Sequence, residues 1–224
     1  MDIKEAIKER HSVRQYTEAP IEGEIKNALD MLISRCNEES GLNIQIICND
    51  PECFNILLNR FGTPYGRFRN VINYIALVGK SSMENLEETC GYYGQKIVLT
   101  AQTMGLNTCW VAGTFGKGKC KAVVAPDEKL VCVISIGFGI NNGSSRKTKP
   151  MEKLSPVSIK DMPEWFREGM KAAMLAPTAI NQQKFSIDLV DGEAVATAKK
   201  GPYSDIDLGI VKYNFEAASG HKCK

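Results

Sequence analysis

Between Arg10 and Tyr16 the chain reads RHSVRQY, which places two guanidiniums and a serine hydroxyl close together. Phosphate is a natural guest for such a set. It approaches a dianion near neutral pH, the guanidinium fork matches its oxygens, and the hydroxyl adds a small donor. Such charge-assisted bonds contribute about 1.5–3 kcal/mol each. The same residues also suit a plainer role, in which Arg10 offsets the dipole at the C-terminal end of a preceding helix. A second polar stretch is APTAINQQ, Ala176 to Gln183. Pro177 ends a helix there, because the residue ahead of a proline is pushed out of the helical region. Thr178, Asn181, Gln182 and Gln183 then carry a hydroxyl and amides into a loop. Amides both donate and accept, which suits the edge of a heterocycle as well as an ordinary polar turn. In GLNTCWVAGTF, Gly105 to Phe115, the small residues Ala112 and Gly113 let backbone N–H groups approach a flat ligand. The alternative there is a core tryptophan, Trp110, followed by a turn. In SSRKTKP, Ser144 to Pro150, the cations Arg146, Lys147 and Lys149 complete a phosphate shell if the chain returns to Arg10; otherwise they form a solvated basic loop.

Other patterns carry less. GFGINNG, Gly137 to Gly143, has one residue too many for a dinucleotide fingerprint and leads into SSRKTKP rather than a helix. GKGKCK, Gly116 to Lys121, lacks the ending of a P-loop. No Gly-x-Ser-x-Gly elbow occurs, and with only His11 and His221 there is no signal for histidine-based hydrolysis. His11, between the arginines, is not assigned as a base. The net charge of +2 and the short basic clusters argue against a nucleic-acid binder. Eight irregularly spaced cysteines without CxxC argue against a metal site and a disulfide framework. MDIKEAIKER does not read as a signal peptide, no apolar run reaches the length of a membrane span, and free thiols suit a reducing cytoplasm.

These stretches need elements to hold them. Apolar spacing predicts helices near 3–10, 21–34, 51–61, 85–104, 164–176 and 208–219. Short apolar or β-branched runs predict strands at 43–48, 71–79, 108–112, 131–136 and 185–190, with a turn-rich loop at 62–66. Helices and strands intersperse without a clean βα rhythm, which predicts an α+β fold. Ala19–Asp50 and Ser155–Asp191 share an order of proline, helix, connector, strand and acidic turn, a weak internal echo.

Taken together, RHSVRQYTEAP, APTAINQQKF, GLNTCW and the late SSRKTKP resemble the RRSxRxF, APSxxNxQPW, GLGTCW and RxKP stretches of the nitroreductase family of flavoenzymes. The resemblance touches most of the chain, from Ile3 to about Ser219. It implies a mainly antiparallel central sheet flanked by helices, with an internal pseudo-repeat. One departure concerns order. Where common members carry APSxxNxQPW soon after the first proline, this chain has ISRCNEESGLNIQI, and the intact version lies near the C-terminus. The chain is therefore similar to fused members in which one polypeptide imitates the family dimer. That implies a nitroreductase-like half at 1–150 carrying the flavin phosphate site, and a second, partial half at 151–224 completing it.

The resemblance implies one FMN per chain, a monomeric pseudo-dimer or weak homodimer, and NAD(P)H as electron donor to a small acceptor such as a nitroaromatic or quinone. By motif, Arg10 and Ser12, with His11 between them, fall on the phosphate side, with Arg146 and Lys149 opposite. Arg14 falls near the ribityl chain and pyrimidine edge. Ala112 and Gly113 face the N5 edge, and Pro177, Thr178, Asn181 and Gln183 pack beside the ring. Tyr65 and Phe68 are expected in a roof over the substrate. No protein nucleophile or general base is required. Two other readings remain: an FMN-sequestering or sensing protein without turnover, and a cofactor-free interaction module.

Overall fold

The computed structural model describes residues 1–56 and 67–224 of the chain. The expected helix at 51–61 is a short 3-10 turn, Glu52–Phe54, as far as Ile56. The rest of that expectation, the loop at 62–66 and Tyr65 lie outside the described residues. The fold is α+β, and the chain forms two compact units. One comprises residues 10–86 and 100–144, the other residues 1–9, 87–99 and 145–224.

The first of these units is built on a four-stranded antiparallel sheet with strand order β1-β2-β4-β3. The strands are β1 (Gln45–Ile47), β2 (Tyr74–Lys80), β3 (Asn107–Val111) and β4 (Glu128–Gly137). β2 and β4 are the central pair, and both are apolar and buried over most of their length. Helix α2 (Gly23–Ser40) buries Leu29, Ile33 and Cys36 along one stripe, as helical spacing requires. It runs past the expected stop near Ser34 and ends at Gly41, which adopts φ 72 and donates to the Asn37 carbonyl. The next residues are fixed by the Asn37 side chain, which accepts from the Ile44 N–H at 2.7 Å and donates to the Ile44 carbonyl at 2.9 Å. Val13, Tyr16, Phe54, Tyr74, Val111 and Val133 share the core cluster of this unit. Helix α3 (Leu86–Thr103) closes with two crossed bonds, Leu106 N–H to Ala101 O and Gly105 N–H to Gln102 O.

The other unit contains α1 (Ile3–Glu9), α4 (Glu164–Met174), α5 (Ser204–Ser219) and the antiparallel hairpin β5 (Phe185–Val190) and β6 (Glu193–Ala198). α1 starts on a reciprocal cap: the Glu5 N–H donates to the Asp2 carboxylate and the Asp2 N–H to the Glu5 carboxylate. α4 buries Phe166, Gly169, Met170 and Ala173 toward α5, where the Phe215 ring lies against Gly169. A buried polar tie joins three helices, with Gln95 donating to Asn214 and Asn214 to the Ala172 carbonyl. α3 and α5 meet backbone to backbone: a Cβ on Gly209 would strike the Glu88 carbonyl, and one on Gly91 the Ile206 carbonyl. β6 was not expected. Its sequence, EAVATA, is poor in the β-branched and aromatic residues that mark strands, and its pairing with β5 and with Lys224 holds it.

Candidate functional site

The run from Arg10 to Tyr16 is extended backbone, pinned on two sides. Ser12 pairs in parallel with Thr108 of β3, and the Val13 N–H donates to the Thr108 carbonyl at 3.0 Å. The Arg69 N–H donates to the Arg14 carbonyl at 2.9 Å, and the Tyr16 N–H returns to the Arg69 carbonyl at 3.1 Å. Tyr16 anchors the end. Its hydroxyl donates to the Val13 carbonyl at 2.7 Å and meets the Ser135 hydroxyl of β4 at 2.8 Å. Burial pushes the Tyr16 phenol well up, so it stays neutral.

GFGINNG, set aside as a nucleotide fingerprint, forms a wall around this run. The Asn107 side chain accepts from the Gly139 N–H at 3.0 Å. The Gly143 N–H is held by the Asn141 side chain at 2.9 Å. Gly143 has φ 73, and a Cβ there would meet the Ser12 carbonyl at 3.1 Å and the His11 side chain at 2.8 Å. Only glycine combines that backbone conformation with so close an approach.

Arg14, Ser12 and Arg10 all act on the Cys109 thiol of β3. Burial raises that thiol; the Arg14 charge, the Ser12 hydroxyl and the Arg10 charge each pull it back. Arg10 is buried, and Arg14 is half-buried with a long 3.4 Å contact to the Ser12 carbonyl. The buried Thr108 hydroxyl oxygen has no hydrogen-bond partner among the described residues, the sort of polar atom that a bound anion would satisfy. Ala112 and Gly113 lie in the same unit, just past the end of β3, with Gly113 exposed. Phe68 packs against the core cluster, with its ring centroid 5.1 Å from that of Phe54.

In the other unit, the 176–183 loop and the 146–149 segment are laced together. Arg146 donates to the carbonyls of Leu175 and Ala176, the open end of α4. Burial lowers the Arg146 pKa. The Lys149 ammonium donates to the carbonyls of Gln182 at 2.7 Å and Gln183 at 3.0 Å. The Lys147 carbonyl accepts from the Asn181 and Gln183 amides, and the Gln183 oxygen accepts from the Lys149 N–H at 2.8 Å. Arg146 and Lys149 thus hold loop carbonyls, and the amides of Asn181 and Gln183 are engaged within the chain. The Thr178 oxygen accepts from the Gln183 N–H at 3.0 Å, which leaves its own proton to donate. Pro177 is buried.

This loop holds Ile180, Asn181 and Gln183 at φ 48, 55 and 46. Positive φ is uncommon outside glycine and a true outlier for a β-branched residue, and such strain gathers at functional sites. A residue that the sequence did not mark holds the loop from beneath. Asp207, in the first turn of α5, accepts from the Ala179 N–H at 2.9 Å and from the Gln182 amide at 2.7 Å. Burial pushes its carboxyl up to about 6 despite those two donors. In sequence an acid at a helix start reads only as a complement to the helix dipole, so nothing set Asp207 apart.

Residues 2–219 match the family model described as "Putative TM nitroreductase". The chain belongs to this nitroreductase family. Among solved structures, a "putative nitroreductase" from Thermotoga maritima superposes with a TM-score of 0.69 at 23% identity, covering 97% of this chain and 83% of that one. A "Putative NADH dehydrogenase/NAD(P)H nitroreductase" from Bacteroides thetaiotaomicron gives 0.52 at 19% identity, covering 68% and 95%. A nitroreductase family protein from Clostridium difficile 630 gives 0.52 at 16%, covering 72% and 100%. The fold is therefore the nitroreductase fold. No curated protein matches the sequence. Among the described residues, no helix is long and apolar enough to cross a membrane, and no group of three potential metal ligands occurs.

Proposed function

We propose that this protein is an FMN-dependent oxidoreductase that moves electrons from NAD(P)H to a small acceptor such as a nitroaromatic or quinone, with one FMN per chain. The observation that carries this reading is that Arg10, Ser12 and Arg14 all act on the Cys109 thiol, with the unpartnered Thr108 hydroxyl nearby. Two fixed guanidiniums and small hydroxyl donors fit a phosphate group in charge and in donor chemistry. When bound, FMN would supply the redox chemistry that passes electrons from donor to acceptor.

The residues of the chain have the remaining tasks. Arg10 and Ser12 hold the phosphate, with His11 between them held against Gly143. Arg14 supplies positive charge to the pyrimidine side of the ring, where electron density gathers on reduction. The backbone of Ala112 and Gly113 approaches the ring edge. Pro177, Thr178, Asn181 and Gln183 are proposed as a flavin-facing loop, with the Thr178 hydroxyl as its available donor. Arg146 and Lys149 serve at one remove by fixing that loop through its carbonyls.

The test is an absorbance spectrum of the purified protein with a flavin-to-chain ratio, for the wild type and for Arg10→Ala. The expected result is a yellow protein with a ratio near one, and at least about a tenfold weaker hold on FMN in the variant, the equivalent of one lost charge-assisted bond. A colourless protein that takes up no FMN, or full occupancy in the variant, overturns the reading. Bleaching of the flavin by NADH or NADPH and its return with menadione supports turnover. A yellow protein that neither nucleotide reduces is instead an FMN-binding protein without turnover.

A further inference from the structure

The basic stretch KGKCK, Lys117 to Lys121, has no part in the proposed flavin chemistry, yet it carries the most unusual thiol of the chain. Cys120 follows the 3-10 turn Lys117–Lys119 and is half-buried. The Cys53 thiol, the Ala122 N–H and the Tyr74 phenol lie beside its sulfur, each placed to favour the thiolate. The neighbouring Tyr74 phenol has one proton, and its 2.6 Å contact commits that proton to the carboxylate of the buried Asp50. The same phenol oxygen accepts the Lys121 N–H at 2.9 Å, which fixes the backbone next to Cys120. The Lys121 ammonium lies 3.4 Å from Asp50 and offsets the carboxylate charge that would otherwise oppose a thiolate.

Cys53 is fully buried on the 3-10 turn Glu52–Phe54, in the core cluster against which Cys120 packs. Backbone bonds hold the two turns together: the Gly116 N–H donates to the Cys53 carbonyl at 2.7 Å and the Cys120 N–H to the Gly116 carbonyl at 3.1 Å. Cys120 also lines a surface cavity of about 410 Å³, together with Lys117, Ala122, Val124, Glu128 and Lys129. Cys120 thus stands at a surface cavity beside two lysines, with Cys53 buried in the cluster it packs against. The hydrogen bond from Cys53 holds the Cys120 thiol below its ordinary value, and the Cys53 thiol is pushed up in return.

We propose that Cys120 is a peroxide-reactive thiol and Cys53 its resolving partner, so that oxidation of the reduced chain yields a Cys53–Cys120 disulfide. The Cys120 sulfur attacks one oxygen of the peroxide; an S–O bond forms, the O–O bond breaks, and the departing hydroxide takes a proton to become water. The Cys53 sulfur then attacks the oxidised sulfur; an S–S bond forms, the S–O bond breaks, and the second oxygen leaves as water with the Cys53 proton. Two thiols lose two electrons and one peroxide gains them. Low thiolate pKa and solvent access are what make a thiol selective for such oxidation, and the other seven cysteines lack this pairing of features.

The experiment uses the full chain treated with a small excess of hydrogen peroxide, then denatured, alkylated and mapped by mass spectrometry without reduction. The expected result is a loss of two of the eight alkylatable thiols and a linked peptide joining Cys53 to Cys120. Brief alkylation of the untreated native protein should label Cys120 about tenfold or more ahead of the other cysteines. In Cys120→Ser, a change at a half-exposed position, Cys53 should remain alkylatable after peroxide. Eight thiols surviving peroxide, a Cys120 carried to sulfinic acid while Cys53 stays reduced, or Cys53 linked to a different cysteine would each overturn the proposal. None of these readouts depends on bound flavin.

Discussion

Two segments of the chain share a plan and differ in how it is finished. Helix α2 leads through a connector to β1, and helix α4 leads through a connector to β5. The first connector turns at Gly41, where positive φ is free of strain, and one neutral side chain, Asn37, satisfies both backbone groups of Ile44. The second has no glycine. Three side-chain-bearing residues take positive φ, and the loop is held by Arg146, Lys149 and the buried carboxylate of Asp207. The first connector turns with relaxed, neutral parts, whereas the second keeps a strained shape through side chains drawn from elsewhere in its unit, and such strain gathers at functional sites.

The sharpest probe of that contrast is pH. The native Asp207 carboxyl, at about 6 against an ordinary 3.8, keeps a proton that the unfolded chain has already released between those values. The native state binds more protons there, so stability should fall as pH rises from about 4 to about 6, by up to ~3 kcal/mol. Denaturant melts across that range should show the slope in the wild type and a flatter profile in Asp207→Asn. Parallel profiles would remove the charge from the comparison.

Next in size is a matched pair. Lys149→Met strips the ammonium from two loop carbonyls and should cost about 2 kcal/mol, together with part of the flavin occupancy. Asn37→Ala should cost about as much, for two lost backbone contacts, and leave occupancy unchanged. Equal flavin loss in the two variants would erase the functional difference between the connectors. The smallest effect belongs to Ile180→Gly. Ile180 is exposed, so removing its side chain loses little packing. Relief of positive φ should raise the melting midpoint by the equivalent of roughly 0.5–1 kcal/mol. A lower midpoint would mean that Ile180 holds the loop through contacts instead.

Much of this was readable in the sequence because it lies in local pattern. α3 was visible in its helical spacing and the glycine after its end, and β2 and β4 in their apolar runs. Arg10, Ser12 and Arg14 stood close enough in sequence to suggest a shared purpose, and all three act on the Cys109 thiol. What escaped notice depends on distant pairing. β6 exists because β5 and Lys224 accept its backbone. Asp207 matters because a loop 28 residues earlier in the chain sits over it. Arg146 and Lys149 were legible as cations, but their targets, backbone carbonyls some thirty residues away, carry no side-chain signature. GFGINNG was set aside as a nucleotide fingerprint, and nothing in it announced that Gly143 allows close contact with His11 and Ser12.

The meeting of α3 and α5 at Gly91 and Gly209 turns a familiar ranking upside down. In an exposed helix, exchanging glycine for alanine gains about 1 kcal/mol, since alanine is the best helix former. At these two positions the added methyl has nowhere to go except into a facing main-chain carbonyl. The worst residues for each helix alone are the ones that let the pair touch, so a survey of tolerated substitutions would find the tightest limits at the two positions with no side chain to conserve.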